Sequence, residues 1–442
     1  MMSNPSPNTS PNTEIEEVLV HKPGRMSRRT SRLAFGLTLP GILMVLGVVF
    51  FPLLTTFWIS FKNIELKDLR APKPQVSERI RGDLEAAGDE AVYRFSLSLP
   101  KNPGATFNGL GFSDVWPKEI QALEIDPRCQ IDGGLIDCEL GHINLDDRYS
   151  EKINIPIRAL VGFDAEIFDP KGSDIQVRGS ATNPLIAKPF TGENYRKAAS
   201  TRNFWGILLT TFSYTFFSTI GAILVGLFAA LLLNQPFRGR SIFRGFLLFP
   251  YVAPVIAVAL TWITLLDPTS GTLNALLVQM QALETPFNFF GKTSQEFTIF
   301  GWQMGFPVAL TSVIVFEVWR YFPLAFLFIL ARMQSIPQDM YEAATMDGAS
   351  PIQQFFALSM PMLIGLMSTL FMLRFIWTFN KFEDIYLLTG GGSGTRTLTL
   401  EVERYFSVEN FGAASAIAVV IFLILSGLAI LYFRTTPKDE GL

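Results

Sequence analysis

Few residues in this chain are equipped for catalysis. Its 442 residues include two histidines, His21 and His142, and two cysteines, Cys129 and Cys138. No His/Cys set has metal-ligand spacing, and Ser/His or Cys/His nucleophilic chemistry lacks its parts. The informative polar residues are three charges embedded in apolar sequence: Glu317, Arg320 and Arg374. A charge within a lipid-spanning helix costs about 2.5–3.5 kcal/mol on insertion scales, which marks these three as functional candidates. Glu317 and Arg320 are three apart and can pair on one helix face. Trp319, Tyr321, Phe322 and Trp377 are expected at the same height. Planar rings beside charged groups suit a polyhydroxylated ligand, with rings covering its apolar face while Arg and Glu meet hydroxyls. The competing reading is that Glu317 and Arg320 neutralise each other near the interface and the aromatics form a belt there.

The elements that must position these residues follow from composition. Charged residues make up 17% of the chain and hydrophobic ones 49%, against about 25% charged in a soluble globular chain. The deficit lies in stretches long enough to cross a bilayer, which excludes a cytosolic enzyme. The net charge of -3 gives no basic footprint for nucleic acid. Four uncharged runs reach the roughly 20 residues of a transmembrane helix: Leu33 to Phe61, Asn203 to Phe237, Gly245 to Leu266, and Asn410 to Phe433. Two more carry charges, at about Ala309 to Ala331 and Pro361 to Asn380, and Pro254 and Pro323 are expected to kink the spans that hold them. Arg320 lies twelve residues from Arg332 and Arg374 thirteen from Pro361, so a rise of about 1.5 Å per residue sets both arginines near the same depth.

The expected fold is an all-α polytopic membrane protein of six transmembrane helices, with a β-rich soluble domain inserted between helices 1 and 2. Lys22, Arg25, Arg28, Arg29 and Arg32 precede the first span, Arg238, Arg240 and Arg244 stand between the second and third, and Arg434 and Lys438 follow the sixth. All fall on one side, so both termini are expected in the cytoplasm and residues 62 to 203 outside. The first run is longer than the apolar core of a signal peptide and no small-residue cleavage site follows it, so it is expected to remain as a span. Residues 1 to 32 read as a cytoplasmic, Pro/Ser/Asn-rich disordered tail.

Within residues 62 to 203, Ser77 to Glu90 is charged and read as helical. Tyr93 to Leu99, Ile153 to Ile167 and Ile175 to Arg178 read as strands, with turns at Asn102-Pro103-Gly104 and Asp132-Gly133-Gly134. Cys129 and Cys138 bracket the latter turn. On an oxidising side of the membrane a disulfide closing this hairpin is the simplest reading, and two free thiols are the alternative.

Between the two charged spans, residues 335 to 361 read as helix, tight turn and helix. Ser335 and Gln338 suit a capping box with Pro337 in the first turn. Gly348 supplies a left-handed end, and Ser350 and Pro351 restart the chain as N-cap and N1. Met340, Tyr341 and Ala344 share a face expected to be an exposed docking stripe, with Asp339 and Glu342 off it. A phosphate-loop reading of Gly390 to Thr397 fails for lack of the lysine and of the spacing.

The segment resembles the signature of membrane subunits of ATP-binding-cassette importers: Glu-Ala-Ala, three residues, Gly, nine residues, Ile-x-Leu-Pro. Glu342, Ala343, Ala344 and Gly348 match, and the end reads Leu358-Ser359-Met360-Pro361. Trp319-Arg-Tyr-Phe-Pro323 and Phe379-Asn-Lys-Phe-Glu-Asp-Ile-Tyr-Leu-Leu-Thr-Gly-Gly-Gly392 resemble the carbohydrate branch, and residues 204 to 442 are covered. The outward insertion is similar in position to that of the larger maltose-type subunit, which has additional N-terminal helices.

The resemblance implies a non-catalytic permease of the bacterial inner membrane. Its implied partners are a second permease subunit, two ATPase subunits that bind ATP and Mg, an outer solute-binding protein, a sugar-like solute and membrane lipid, with no cofactor in this chain. Tyr341, Glu342, Ala343, Ala344, Asp347 and Gly348 would couple to the ATPase. Glu317, Tyr321, Arg374, Trp377, Thr378 and Lys381 would fall at or beside the solute contacts, where the charge reading also puts Arg320. Disaccharides, trehalose-like sugars and glycosylated osmolytes such as glucosylglycerol all fit. A secondary carrier and a membrane-anchored sensor are the readings from other classes.

Overall fold

The computed structural model describes residues 28–70, 73–82, 88–99, 106–118, 120–144, 152–161, 175–200, 203–299 and 302–435. The Asn102-Pro103-Gly104 turn, residues 162–167 of the expected third strand, Lys438 and all of the N-terminal tail before Arg28 lie outside them. The chain divides into one unit ending at Thr55 and another beginning at Thr56. In the first, α1 (Arg28–Val45) passes through a π-helical turn (Leu46–Phe50) into α2 (Phe51–Ser60), which crosses that boundary. The helix therefore starts ahead of Leu33, inside the stretch read as tail. Every side chain from Phe35 to Pro52 is exposed, and so apolar a surface belongs in lipid.

The second unit begins with a β-sandwich. Its strands are β1 (Gln75–Arg81), β2 (Glu90–Ser98), β3 (Thr106–Val115), β4 (Ile120–Glu124), β5 (Cys129–Asp132), β6 (Leu135–Asn144), β7 (Lys152–Val161) and β8 (Gln176–Ala181). They form two four-stranded antiparallel sheets, ordered β1-β2-β7-β4 and β5-β6-β3-β8. Alternation on β2 turns Ala91, Tyr93, Phe95 and Leu97 inward. Tyr93 and Phe95 face Ile157 and Ile155 across the β2–β7 ladder and share a core with Phe112, Ile136 and Cys138 of the other sheet. The stretch read as helical, Ser77 to Glu90, instead contains most of β1, its residues 83–87 lying outside the described ones. Its charged residues hide a two-residue period in which Val76, Glu78 and Ile80 turn toward the interior. Glu78 is tolerated there because Tyr93 donates a hydrogen bond to it; burial, aided by that bond, pushes the Tyr93 hydroxyl well above its usual pKa.

Strands β5 and β6 form the Asp-Gly-Gly hairpin, with Gly133 at φ 57° and Gly134 at φ 82°. Two consecutive positive φ angles are what a two-residue type I′ turn demands. The register sets Cys129 opposite Cys138, and their sulfurs are bonded.

The sandwich leaves and rejoins the helices at one clasp. Lys62 donates to the carbonyls of Leu185 and Ile186 at 2.8 and 2.9 Å, both within α3 (Pro184–Ala187). Asn194, on α4 (Glu193–Ser200), donates to the carbonyls of Ser60 and Lys62. Gly412 brings its N–H to the Ile64 carbonyl, and a Cβ there would stand 2.3 Å from the Lys62 oxygen.

The rest is helical: α5 (Phe204–Asn234), α6 (Arg240–Leu247), α7 (Phe249–Val252), α8 (Val255–Leu266) and α9 (Thr272–Gln279), a hairpin of β9 (Gln295–Ile299) and β10 (Trp302–Phe306), then α10 (Val308–Gln334), α11 (Gln338–Met346), α12 (Pro351–Gln354), α13 (Met360–Phe379), α14 (Glu383–Thr389), α15 (Leu398–Ser407) and α16 (Phe411–Thr435). Among the described residues five helices are long and apolar enough to cross a membrane: Phe35–Ser60, α5, α10, Pro351–Phe379 and α16. The run Gly245 to Leu266 is not a straight span. It belongs to a pair of helical segments bent by 92°, because Pro254 holds Ala253 extended and has no N–H to continue the helix. Pro323, by contrast, lies inside an unbroken α10.

Helices α5 and α10 pack at close range because α5 carries small residues toward α10. A Cβ on Gly226 would come within 2.8 Å of the Phe326 nitrogen and 3.0 Å of the Phe322 oxygen, both backbone atoms. Gly226→Ala is therefore expected to destabilise the helical part by about 1–3 kcal/mol, read as a lower unfolding midpoint in detergent, whereas Gly427→Ala, with open space around it, is expected to leave the midpoint unchanged.

Candidate functional site

Glu317 is fully buried on α10, and its partners come from elsewhere in the chain. Arg374 on α13 donates to its Oε1 at 2.8 Å, and Lys381, just past the end of α13, donates to Oε1 at 3.0 Å and Oε2 at 2.8 Å. Thr378 reaches Oε1 at 3.5 Å. Lys381 also bonds Asp384 of α14 at 2.6 Å. Burial raises the Asp384 carboxyl above its usual range, with Lys381 pulling the other way.

The expected Glu317–Arg320 pair does not form. Arg320 turns toward the Ala253 carbonyl at 3.4 Å, an acceptor at the break before Pro254, where the helix ends and leaves carbonyls unpaired. Arg320 also reaches the Tyr321 hydroxyl at 3.4 Å. The Tyr321 ring then collects the cations: Lys381 Nζ lies 3.4 Å from its centroid, Arg374 Cζ 4.1 Å and Arg320 Cζ 5.6 Å. Cation–π attraction of this kind strengthens as the groups lose water.

Helices α10, α13 and α14 and the bend at Ala253 thus bring together Glu317, Arg320, Tyr321, Arg374, Thr378 and Lys381. The expected aromatic cluster is split. Trp319 packs on Trp262 and Phe316, Phe322 sits in the core with α5 residues, and Trp377 is 50% exposed. Tyr321 leaves the helix about 200° round from Trp319 and about 100° from Phe322, so a shared height does not give a shared face. Asp384, Tyr251 and the Ala253 carbonyl were missed. Asp384 carried a signal, standing three residues after Lys381 on the next helix. Tyr251, edge-on to Tyr321 with centroids 5.8 Å apart, carried none, because only the bend brings it there.

The second feature is the helix-turn-helix between α10 and α13. Gly348 has φ +80° with nothing within 4 Å of a Cβ placed there, so the backbone conformation, not space, selects glycine. Ser350 caps α12 through the Gln353 N–H, Gln353 returns the bond, and Pro351 occupies the first turn. The first helix starts differently from expectation. Ser335 ends α10, donating to the Arg332 carbonyl at 2.8 Å, and Pro337 precedes α11 without a side-chain cap. The docking stripe is also corrected. Tyr341 and Ala344 are half-buried, and Tyr341 shares a 2.7 Å hydrogen bond with Ser359, which fastens α11 to the chain leading into α13. The free face carries Asp339, Met340, Glu342, Ala343, Met346 and Asp347, with Met346 88% exposed. Glu342 accepts from Gln338 at 2.9 Å and remains open to a partner.

Residues 222–435 match the family described as binding-protein-dependent transport system inner membrane component. The trehalose/maltose transport system permease protein MalF of Thermococcus litoralis is 32% identical over 250 residues, covering 56% of this chain and 80% of that protein. The inner membrane ABC transporter permease protein YcjO of Escherichia coli is 34% identical over 255 residues, again 56% of this chain and 80% of the relative. Among solved structures, a bacterial alginate ABC transporter in complex with an alginate pentasaccharide-bound periplasmic protein superposes with a TM-score of 0.50 at 17% identity, over 57% of this chain and 85% of that one, a likeness of fold alone. With a helical membrane-type fold of five to six candidate spans and sequence overlap of this extent, the chain belongs to the binding-protein-dependent inner membrane components and is a non-catalytic permease subunit of ATP-binding-cassette importer type.

Proposed function

We propose that the protein forms half of the translocation path of a sugar importer, with both termini cytoplasmic, six spans counting the bent pair as one, and the sandwich outside. The observation that carries the coupling role is α11: an exposed helix holding the Glu-Ala-Ala residues, aimed by the Gly348 turn and pinned by Tyr341 to Ser359. Such a helix transmits a rigid push from a cytoplasmic ATPase into α13, because the Tyr341 pin and the capped start of α12 leave it little freedom to pivot. Glu342, Ala343 and Asp347 meet the ATPase, Tyr341 and Ala344 hold the helix to its own chain, and ATP and Mg are bound by the partner subunits.

The sugar reading is supported by the names of the relatives and by the chemistry around Tyr321 and Trp377. Glu317 is closed to solute in this conformation, so its part is to hold Arg374 and Lys381, and through them Tyr321, in place. Tyr321 and Trp377, each at least partly exposed, are the groups able to touch a passing sugar. The acid that a secondary carrier would use for ion coupling, Glu317, is already paired with two cations, Arg374 and Lys381.

Gly348→Pro, which forces φ to about −65°, and Glu342→Lys are expected to abolish solute-stimulated ATP hydrolysis in the assembled complex while membrane insertion stays normal; normal uptake by either would remove the coupling assignment. Trp377→Ala is expected to raise the half-saturating solute concentration about tenfold, ~1.4 kcal/mol, with unchanged thermal stability. Arg374→Ala is expected to lose about 3–5 kcal/mol of stability, since it leaves Glu317 underpaired in the interior. Measuring which of trehalose, maltose and glucosylglycerol stimulates ATP hydrolysis, with the solute-binding protein present, identifies the solute, and stimulation by none of them would count against the sugar reading.

A further inference from the structure

A cavity of about 580 Å³ lies between the end of α8, helix α9 and the start of α10. It is lined by Trp262, Leu266, Leu277, Phe287, Phe306 and Val315 among others, and its size is in the range of roughly 300–1,000 Å³ common to small-molecule sites. Polarity is nearly absent. Its two hydroxyl residues are taken up by backbone carbonyls, Thr311 donating to Pro307 at 2.8 Å and Ser312 to Val308 at 3.0 Å and Phe289 at 3.3 Å. Whatever occupies such a space has no hydrogen bonds to offer or receive there, so it is hydrocarbon.

Two observations identify the hydrocarbon. First, Leu266 ends α8 and Val308 begins α10, so the cavity opens where two membrane-crossing segments reach the edge of the apolar layer. Second, a cation stands at its rim. Lys292 Nζ lies 5.3 Å from the centroid of the Phe287 ring, which lines the cavity, and the Lys292 carbonyl accepts from the Ala309 N–H at 3.2 Å, which fixes the lysine beside the start of α10. Lys292 bonds the neutral Gln295 side chain and forms no ion pair among the described residues, leaving its charge open to an anion. An apolar slot at the membrane edge with a lysine above it matches one chemistry: an acyl chain below and a phosphate at the interface.

We propose that this cavity is a phospholipid site, one acyl chain packed against Trp262 and Leu277 and the phosphate held by Lys292. The bound lipid steadies the outer ends of α8 and α10, and therefore the bend at Ala253 to which Arg320 is bonded.

The test uses the whole assembled transporter, reconstituted in palmitoyl-oleoyl phosphatidylglycerol vesicles, extracted in mild detergent and examined by native mass spectrometry for retained phospholipid. Wild type is expected to keep one more phospholipid per copy of this chain than Leu277→Trp, which fills the cavity. Lys292→Glu is expected to weaken retention about tenfold, and because Lys292 is on the surface this variant reports even if Leu277→Trp fails to assemble. Equal retention in wild type and Lys292→Glu overturns the headgroup assignment and with it the proposal. So does capture of the second membrane subunit by a cross-linker at Leu277→Cys, which would make the cavity a subunit contact.

Discussion

A carboxylate taken out of water must be paired or the structure around it does not hold, and Glu317 imposes that condition on the membrane part of this protein. Two charges brought into a low-dielectric interior lose hydration worth several kcal/mol each, and only close, multiply bonded geometry offsets the loss. Glu317 meets the condition with Arg374 and Lys381, from α13 and the turn after it. The pairing therefore requires α10 and α13 to lie side by side, and it carries α14 along through Lys381 and Asp384. The close approach of α5 and α10 at Gly226 serves the same arrangement from the opposite side, because it fixes the helix on which Glu317 sits.

The broken helix is part of this arrangement. A straight helix through this stretch would have bonded the Ala253 carbonyl internally and left Arg320 without that acceptor. Breaking the helix at Pro254 frees the carbonyl, Arg320 takes it, and Glu317 is left to the two cations of the other helices. Tyr321 gathers the result, since its ring lies against Lys381, Arg374 and Arg320 while part of it stays open.

The sequence made some of this legible and concealed the rest for definite reasons. Long apolar runs announce membrane helices because their length is set by the bilayer, and the Gly348, Ser350 and Pro351 positions announce a turn because each residue type matches a backbone need. The depth of Arg320 and Arg374 could be read from helix rise. Which partner each charge takes could not, since Lys381 and Arg374 lie more than fifty residues from Glu317 and meet it only through helix packing. For the same reason Tyr341 was read as exposed: its partner Ser359 is eighteen residues away, across the turn. Strand β1 was missed because its inward position 78 is a glutamate, tolerated only through Tyr93.

The clasp at Lys62, Asn194 and Gly412 has a consequence for how the sandwich relates to the helices. Both ends of a long excursion are held at one point, next to the start of α16. Mechanically, among the described residues, the excursion is tied where Lys62, Asn194 and Gly412 meet, so force applied to it reaches the helices at that knot. Genetically it is a graft: a segment that closes on itself at its own junction can be exchanged for a longer, shorter or differently folded one while the helices beneath keep their positions.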